Sequence, residues 1–245
     1  VTGVQTCALP IFVGIGLPSA AANLARQTHA PDTIIIYESG TIGAKPQVLP
    51  LSIGDGELSE TADAVVSIPE MFAYWLQGGR IALGFLGAAQ IDKFANINST
   101  VIGGTYQRPK VRLPGAGGAQ EIAANCGEVL ITLRHNKRAF VEKLDFLTSA
   151  GYFEGGDSRA QRKLPGRGPT AVITDLGILE PDPVSKELTL THVHQGISVE
   201  QVIAETGWTL KVAEKVDTTE PPTEHELAVL RDLNERTARA HAGQQ

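Results

Sequence analysis

The sequence predicts an α/β protein with an open, mostly parallel sheet, flanking helices and some antiparallel strands in the C-terminal third. Short extended runs alternate with helical segments along the chain, which is typical of parallel strands joined by helices. Residues 33–37 are almost entirely β-branched, as expected of a strand that is buried on both faces. Residues 187–193 alternate between apolar and polar instead, which suits an edge strand or an antiparallel partner.

The first elements follow one another in the order strand, turn, helix, strand. Residues 12–16 are predicted to form a strand that runs into a glycine turn, and Pro18 then opens a helix over residues 19–27. The buried strand at 33–37 comes next. Beyond it, the same patterns predict helices at 70–77 and 119–126, and strands at 81–86, 129–134 and 171–174.

Two capping-box patterns mark late helices. Ser198 precedes Gln201 by three residues, and Thr223 precedes Glu226 in the same way. We expect the last helix to pack through its leucines, Leu227, Leu230 and Leu233. Residues 151–168 are rich in glycine and charge without any periodicity, so they are predicted to be an exposed loop.

The length of 245 residues is compatible with one large α/β domain. Residues 1–11 show neither helix nor strand periodicity, and we interpret them as a non-native leader in which Cys7 has no function. The domain would then span residues 12–245 and be truncated at its N-terminus.

Composition excludes several classes of function. A formal charge of −6 argues against broad nucleic-acid binding, which needs a basic face. No run of about 18 apolar residues occurs, so no membrane anchor is predicted. Cys7 and Cys126 have no metal-ligand spacing and suit a reducing compartment, so we expect a cytoplasmic protein.

Glu38 is the main candidate for a catalytic side chain. It follows the predicted strand 33–37, and ligands of open α/β sheets bind where parallel strands end. Ser39 and Gly40 come next, and their small size would let a substrate approach the carboxylate closely. They are therefore substrate-pocket candidates, although a strand-end glutamate can also be an ordinary solvated acid.

Two glycine-rich turns could supply backbone donors. Each precedes a predicted helix, and free N–H groups at such a position favour a phosphate or a developing oxyanion. The alternative is a close-packed turn without any ligand. The residues concerned are Gly14 and Gly16 in the first turn, and Gly115, Gly117 and Gly118 in the second.

Other enzyme motifs fit poorly. Ser19 stands where a dinucleotide fingerprint needs its third glycine, and neither a G-x-S-x-G nor a P-loop motif occurs. His192 and His194 would share a strand face but lack a third ligand, so no metal is expected. Cys126 is interpreted as a core residue. Several basic residues could either contact phosphates of a ligand or be ordinary solvated surface charges, namely Lys110, Arg112, Arg134, Lys137 and Arg138.

Four separated segments, at residues 37–44, 74–80, 84–92 and 114–119, together resemble family I CoA-transferases. The likeness is to B (beta) subunits of the glutaconate and 3-oxoadipate CoA-transferase type, and it covers residues 12–230. The resemblance implies a CoA-transferase-like fold, with Glu38 as the catalytic glutamate and the glycine amides as the oxyanion and CoA-binding loops.

The resemblance also implies a reaction and a partner. Glu38 would form a glutamyl-CoA thioester while CoA moves from an acyl-CoA to a second acid. Succinyl-CoA with 3-oxoadipate is the favoured pair and glutaconate the next. CoA thioesters would be substrates, with no tightly bound cofactor, and an A (alpha) subunit would complete an α₂β₂ assembly. The alternatives are an acyl-CoA hydrolase or decarboxylase on the same fold, or a non-catalytic CoA-binding subunit.

Overall fold

The computed structural model describes residues 9–242, and its internal contacts divide the chain into two compact units. Of the described residues, 9–85 and 222–242 form the first unit, and 86–221 form the second. Cys7 and most of the predicted leader lie outside the described residues, whereas the first strand begins at Pro10. The leader and the single domain after it stay predictions.

In chain order, the helical segments of the described residues are α1 (Leu17–Gln27), α2 (Gly56–Glu60), α3 (Ile68–Glu70), a π-helical segment (Met71–Leu76), α4 (Ala119–Asn125), α5 (Ser158–Gln161), α6 (Val199–Ala204) and α7 (Glu224–His241). None of the helices between residues 9 and 242 is both long enough and apolar enough to cross a membrane.

The strands, also in chain order, are β1 (Pro10–Val13), β2 (Ile34–Tyr37), β3 (Thr41–Ile42), β4 (Ala64–Val65), β5 (Leu83–Gly87), β6 (Gln90–Ile91), β7 (Ile97–Asn98), β8 (Val101–Gly104), β9 (Pro109–Arg112), β10 (Glu128–Thr132), β11 (Pro169–Ile173), β12 (Gly177–Pro181), β13 (Leu188–Val193) and β14 (Lys211–Thr218).

The first unit contains a sheet in the order β5-β1-β2-β3-β4, and the last two residues of β5 begin the second unit. Strands β5, β1 and β2 are parallel, while β3 and β4 add antiparallel hairpins at one side. The apolar side chains of β1 and β2 pack with α1 and α2 in a buried cluster of Val13, Ala22, Ile35, Tyr37, Ala44 and Leu58. The strands predicted at 12–16 and 33–37 are thus confirmed.

A buried polar contact ties α1 to this sheet. Ser19 and Tyr37 share a hydrogen bond of 2.7 Å between their hydroxyl oxygens, and the Asn23 amide lies 3.4 Å from the Tyr37 hydroxyl. Burial raises the pKa of Tyr37, so the phenol stays protonated at neutral pH. Ser19, which breaks the dinucleotide fingerprint, is therefore needed for the packing of this helix.

The helix predicted at 70–77 exists, but its geometry is unusual. The backbone N–H groups of Gln77 and Arg80 bond to the carbonyl oxygens five residues earlier, of Phe72 and Trp75. Such π-helical turns widen the helix by one residue per turn. Hydrophobic periodicity detects a helix but not this difference.

The second unit has its own set of strands in the order β14-β13-β12-β11-β10. β10 and β11 are parallel, β11 to β13 are antiparallel, and β14 is parallel to β13. The predicted fold class is confirmed, including antiparallel strands in the C-terminal third. β13 is an antiparallel partner of β12 rather than an edge strand, because β14 covers its other side.

The late helices begin where the capping boxes predict. Ser198 and Gln201 satisfy each other's backbone N–H groups at α6, and Thr223 and Glu226 do so at α7. Leu233 is fully buried in α7, whereas Leu227 and Leu230 are half-buried. The predicted packing face is therefore confirmed, with Leu233 at its centre.

The prediction of an exposed loop at residues 151–168 is wrong. The segment contains α5, and the buried Arg159 guanidinium donates to main-chain carbonyl oxygens around it, those of Ala123, Ala124, Ala150, Gly151 and Gly166. The glycine and charged residues of this segment indicated exposure to solvent, but these five carbonyl groups replace water around the guanidinium. Arg159 is an internal clamp on the C-terminal end of α4.

His135 lies at one end of a buried aromatic stack in the second unit. Its ring lies parallel to Phe140 with centroids 3.7 Å apart, and Phe140 stacks on Trp208. The two ring nitrogens lie 3.3 Å from Thr174 Oγ1 and 2.9 Å from Thr206 Oγ1. Burial lowers the pKa of His135 to about 4, so the imidazole is neutral at physiological pH.

Arg159→Leu is expected to destabilise the protein by about 3–5 kcal/mol, because it leaves several buried carbonyl groups without a donor. Arg162→Leu is the matched control. Its guanidinium is exposed and pairs with Glu154 at the surface, so its loss should cost less than about 1 kcal/mol. Urea unfolding measures both free energies, and equal losses would contradict the clamp.

Stability should also fall in acid because of His135. Its folded-state pKa of about 4 lies below the ordinary value of 6.5, so only the unfolded chain takes up this proton between those values. The stabilisation is complete above pH 6.5 and is lost as the pH falls towards 4. We expect about 2 kcal/mol less unfolding free energy at pH 5 than at pH 7. His135→Gln should flatten this slope, and an unchanged slope would contradict it.

Candidate functional site

The parallel pairing of β1 with β2 defines one edge of the sheet in the first unit. Val13, the last residue of β1, is directly opposite Tyr37, the last residue of β2. Gly14 and Glu38 therefore leave the two strands side by side, at the edge where parallel strands end. Neighbouring strands are about 4.8 Å apart, so the first predicted glycine turn lies next to the predicted catalytic carboxylate.

The Glu38 side chain is not used by the fold. The residue is half-buried, and within residues 9–242 its carboxylate forms neither a hydrogen bond nor an ion pair. Most structural carboxylates in partly buried positions have a partner, because burial without one is unfavourable. A carboxylate with no partner at a strand end is available to react with or bind another molecule.

Gly40 makes the turn after Glu38 possible. Its N–H bonds to the Tyr37 carbonyl oxygen at 3.0 Å, and its own carbonyl oxygen accepts from the Val66 N–H at 2.9 Å. Gly40 has φ +103, and a Cβ atom there would collide with the Val66 carbonyl oxygen. The turn thus requires glycine at this position.

Two hydroxyl groups beside Glu38 have no partner within the described part of the chain. Ser39 Oγ and Thr41 Oγ1 are both shielded from solvent, and Thr41 is only 3% exposed. Ser39 is a predicted pocket candidate, whereas the sequence gives no signal for Thr41, because a threonine in a strand is ordinary. Both hydroxyls remain able to bond to a ligand or to a second subunit.

The Gly14–Gly16 turn is open towards solvent. Cβ atoms built on Gly14 and Gly16 would meet no other atom within 4 Å. Gly16 has φ +78 and is the N-cap of α1 without any side-chain cap, and neither its N–H nor that of Leu17 bonds to another residue of the described chain. These amides form a donor group at the same sheet edge as Glu38.

The second glycine turn belongs to the second unit. Gly115 forms two hydrogen bonds with Ser99: its N–H donates to the Ser99 carbonyl, and its carbonyl accepts from Ser99 Oγ at 2.8 Å. Gly115 and Gly117 have positive φ values, and Gly118 caps α4. The N–H groups of Gly117 and Gly118 donate to no described residue, so they too remain available.

The remaining candidates have ordinary structural positions. Cys126 is buried, and burial raises the pKa of its thiol to about 12, which confirms a core role. His194 is held by Thr219 Oγ1 and the Thr174 carbonyl oxygen. His192 contacts Thr191 Oγ1, and no cluster of three or more potential metal ligands occurs among the described residues.

The predicted basic residues form two separate groups. Lys110 and Arg112 lie on β9. Lys137 and Arg138 line an open cavity of about 410 Å³ together with Asn136 and Glu205. Arg134 lies in the chain between the end of β10 and Asn136, the first residue of this cavity lining.

The fold agrees with comparisons with known proteins. The family model for coenzyme A transferase matches residues 5–205, and the chain belongs to this family. The predicted enzyme class, a CoA-transferase, is thus confirmed. The chain is 64% identical over 234 residues to the B subunit of the 3-oxoadipate CoA-transferase of Pseudomonas knackmussii, covering 96% of this chain and 89% of that protein.

Glutaconate CoA-transferase of Acidaminococcus fermentans is a second relative. Its B subunit is 36% identical over 216 residues, which cover 86% of this chain and 80% of that protein. Its crystal structure superimposes with a TM-score of 0.86 at 34% identity, covering 92% of this chain and 88% of that one. The predicted resemblance to both types of enzyme is therefore confirmed.

The two glycines at the sheet edge should respond differently to a methyl group. Gly40→Ala is expected to cost at least about 2 kcal/mol, because of its positive φ and the collision with Val66. Gly14→Ala points into open space and should change stability by less than about 1 kcal/mol. Thermal or urea unfolding compares the two, and a similar loss at both positions would contradict the geometry.

Proposed function

We propose that this chain is the beta subunit of a two-subunit CoA-transferase that moves CoA from succinyl-CoA to 3-oxoadipate through a glutamyl-CoA thioester on Glu38. The observation that carries the proposal is the unpartnered, half-buried Glu38 carboxylate beside the Gly14–Gly16 turn. The relative with 64% identity, which belongs to a 3-oxoadipate CoA-transferase, supports this acid over glutaconate.

The chemistry proceeds by acyl exchange at one carboxylate. A Glu38 oxygen attacks the thioester carbonyl carbon, the carbon–sulfur bond breaks, and CoA leaves as thiolate while a mixed anhydride forms on Glu38. The thiolate then attacks the glutamyl carbonyl, which gives the glutamyl-CoA thioester and releases the first acid. The second acid repeats these steps in reverse. In the net reaction, one thioester is exchanged for another of similar energy, so neither ATP nor a redox cofactor is consumed.

The glycine amides are the proposed oxyanion donors. Each addition step places negative charge on a carbonyl oxygen, and a fixed N–H donor there is typically worth about 3 kcal/mol of barrier. The free N–H groups of Gly16 and Leu17 occur at the same sheet edge as Glu38, and those of Gly117 and Gly118 offer the same chemistry in the second unit. Ser39 and Gly40 line the approach to the carboxylate, and the orphaned Ser39 hydroxyl suits a substrate oxygen.

The partner in this proposal is an alpha subunit, in an α₂β₂ assembly, in the cytoplasm. Both relatives are named as B subunits, which supports a companion chain. The acyl-CoA and the carboxylic acids are substrates, and the covalent steps use only the protein's own carboxylate. No tightly bound cofactor takes part.

Glu38→Gln should abolish CoA exchange, with a loss of at least about a thousand-fold, because the amide oxygen is a far weaker nucleophile. The variant is co-expressed with the alpha subunit and assayed with succinyl-CoA and 3-oxoadipate. Glu60→Gln, at an exposed position of the same unit, is the control and should retain activity.

Mass analysis of the peptide that contains Glu38 should find bound CoA after incubation of the wild-type enzyme with succinyl-CoA alone. Unchanged exchange in Glu38→Gln would remove this residue from the mechanism. Free CoA without a new thioester would indicate a hydrolase instead, and loss of the acyl carboxyl group as CO₂ would indicate a decarboxylase.

A further inference from the structure

The β8–β9 hairpin is a basic surface in an acidic protein. No aspartate or glutamate occurs between Asp92 and Glu121, whereas the hairpin itself contains Arg108, Lys110 and Arg112. All three side chains are exposed, and none forms an ion pair within the described residues. Positive charge concentrated without counter-charge in a chain of net charge −6 favours an anionic ligand at this place.

Lys110 and Arg112 are held in position by their neighbours. They occupy alternate positions of β9 and so share a face. The methylene stem of Lys110 packs over Gly103 on the adjacent strand, at a site that a Cβ atom would fill. The Arg112 guanidinium lies 5.1 Å from the centre of the Tyr106 ring and donates to the Tyr106 carbonyl oxygen at 2.6 Å.

These contacts leave the cations free to bind. Arginine has five N–H donors, so the bond to Tyr106 leaves several available for a phosphate. The Tyr106 ring is itself stacked on Phe146, with centroids 5.7 Å apart. Asp145, the acid next to Phe146, accepts a hydrogen bond from Gln90 and not from either cation.

The hairpin continues directly into the second glycine turn. Beyond β9, the N–H groups of Leu113 and Gly115 donate to the Thr100 and Ser99 carbonyl oxygens at 3.0 and 2.9 Å, which extends the strand pairing as far as the turn. The basic hairpin and the glycine turn are therefore one hydrogen-bonded piece. A ligand with a reactive group at the turn and phosphates further along would contact both.

We propose that Lys110 and Arg112 on the β8–β9 hairpin bind the phosphate groups of the CoA nucleotide. This inference rests on the proposed function, because that function makes CoA the ligand. The alternative basic group at Lys137 and Arg138 is less suited, since Glu205 places a carboxylate in the same cavity lining.

The test uses the enzyme assembled with its alpha subunit. The double variant Lys110→Gln/Arg112→Gln is compared with Lys163→Gln/Arg231→Gln, which removes the same charge from exposed positions elsewhere. Calorimetry should show the dissociation constant for CoA raised about 3- to 10-fold in the first variant, as expected for two exposed ion pairs, and unchanged in the control. 3′-Dephospho-CoA should show a smaller difference.

A second measurement is the turnover of a succinyl thioester of pantetheine, a substrate that lacks the nucleotide. It should be equal in wild type and Lys110→Gln/Arg112→Gln. Equal losses with CoA and pantetheine thioesters, or unchanged CoA binding, would overturn the proposal. Dissociation of the alpha subunit from this variant, with normal CoA affinity, would also overturn the proposal, because the hairpin would then bind the partner protein. A wild-type enzyme that binds CoA at the hairpin but transfers nothing would refute only the proposed function.

Discussion

The parallel pairing of β1 with β2 holds the candidate site together. It places Val13 opposite Tyr37, so a glycine turn and a glutamate that are far apart in sequence leave the sheet side by side. A shift of register by one residue would turn Tyr37 out of the core and move Glu38 away from the turn. The apolar cluster around Val13, Ile35 and Tyr37 fixes this register, because all three side chains are completely buried.

At the same sheet edge, hydrogen bonds fix the backbone, whereas several side chains have no bonding partner among the described residues. Gly40 is fixed by two hydrogen bonds and by a conformation that only glycine adopts easily, whereas Glu38, Ser39 Oγ and Thr41 Oγ1 have no partner among the described residues. Such unsatisfied groups are costly in a folded chain. Their concentration within four residues is understandable if a substrate or the second subunit supplies the missing contacts.

In the second unit, hydrogen bonds from side chains to backbone carbonyl groups hold short loops in place. Arg159 binds carbonyl groups of three separate segments, one of which is the C-terminal end of α4, and Ser99 holds Gly115 ahead of the N-terminal end of the same helix. The glycine turn is thus fixed through its neighbours on both sides. Fixed donors stabilise a developing charge better than mobile ones, because no reorganisation is needed during the reaction.

Local patterns in the chain are sufficient for the features that depend on near neighbours. The α/β alternation, both capping boxes and the position of Glu38 at a strand end all follow from preferences of a few adjacent residues. The separated motifs are also specific enough to identify the family. Folding is required to establish the adjacency of Gly14 and Glu38, the bond between Ser19 and Tyr37, and the burial of Arg159 in a segment whose composition indicates exposure. These contacts join residues distant in the chain, so no local pattern encodes them, and they exist only once the packed core brings their atoms together.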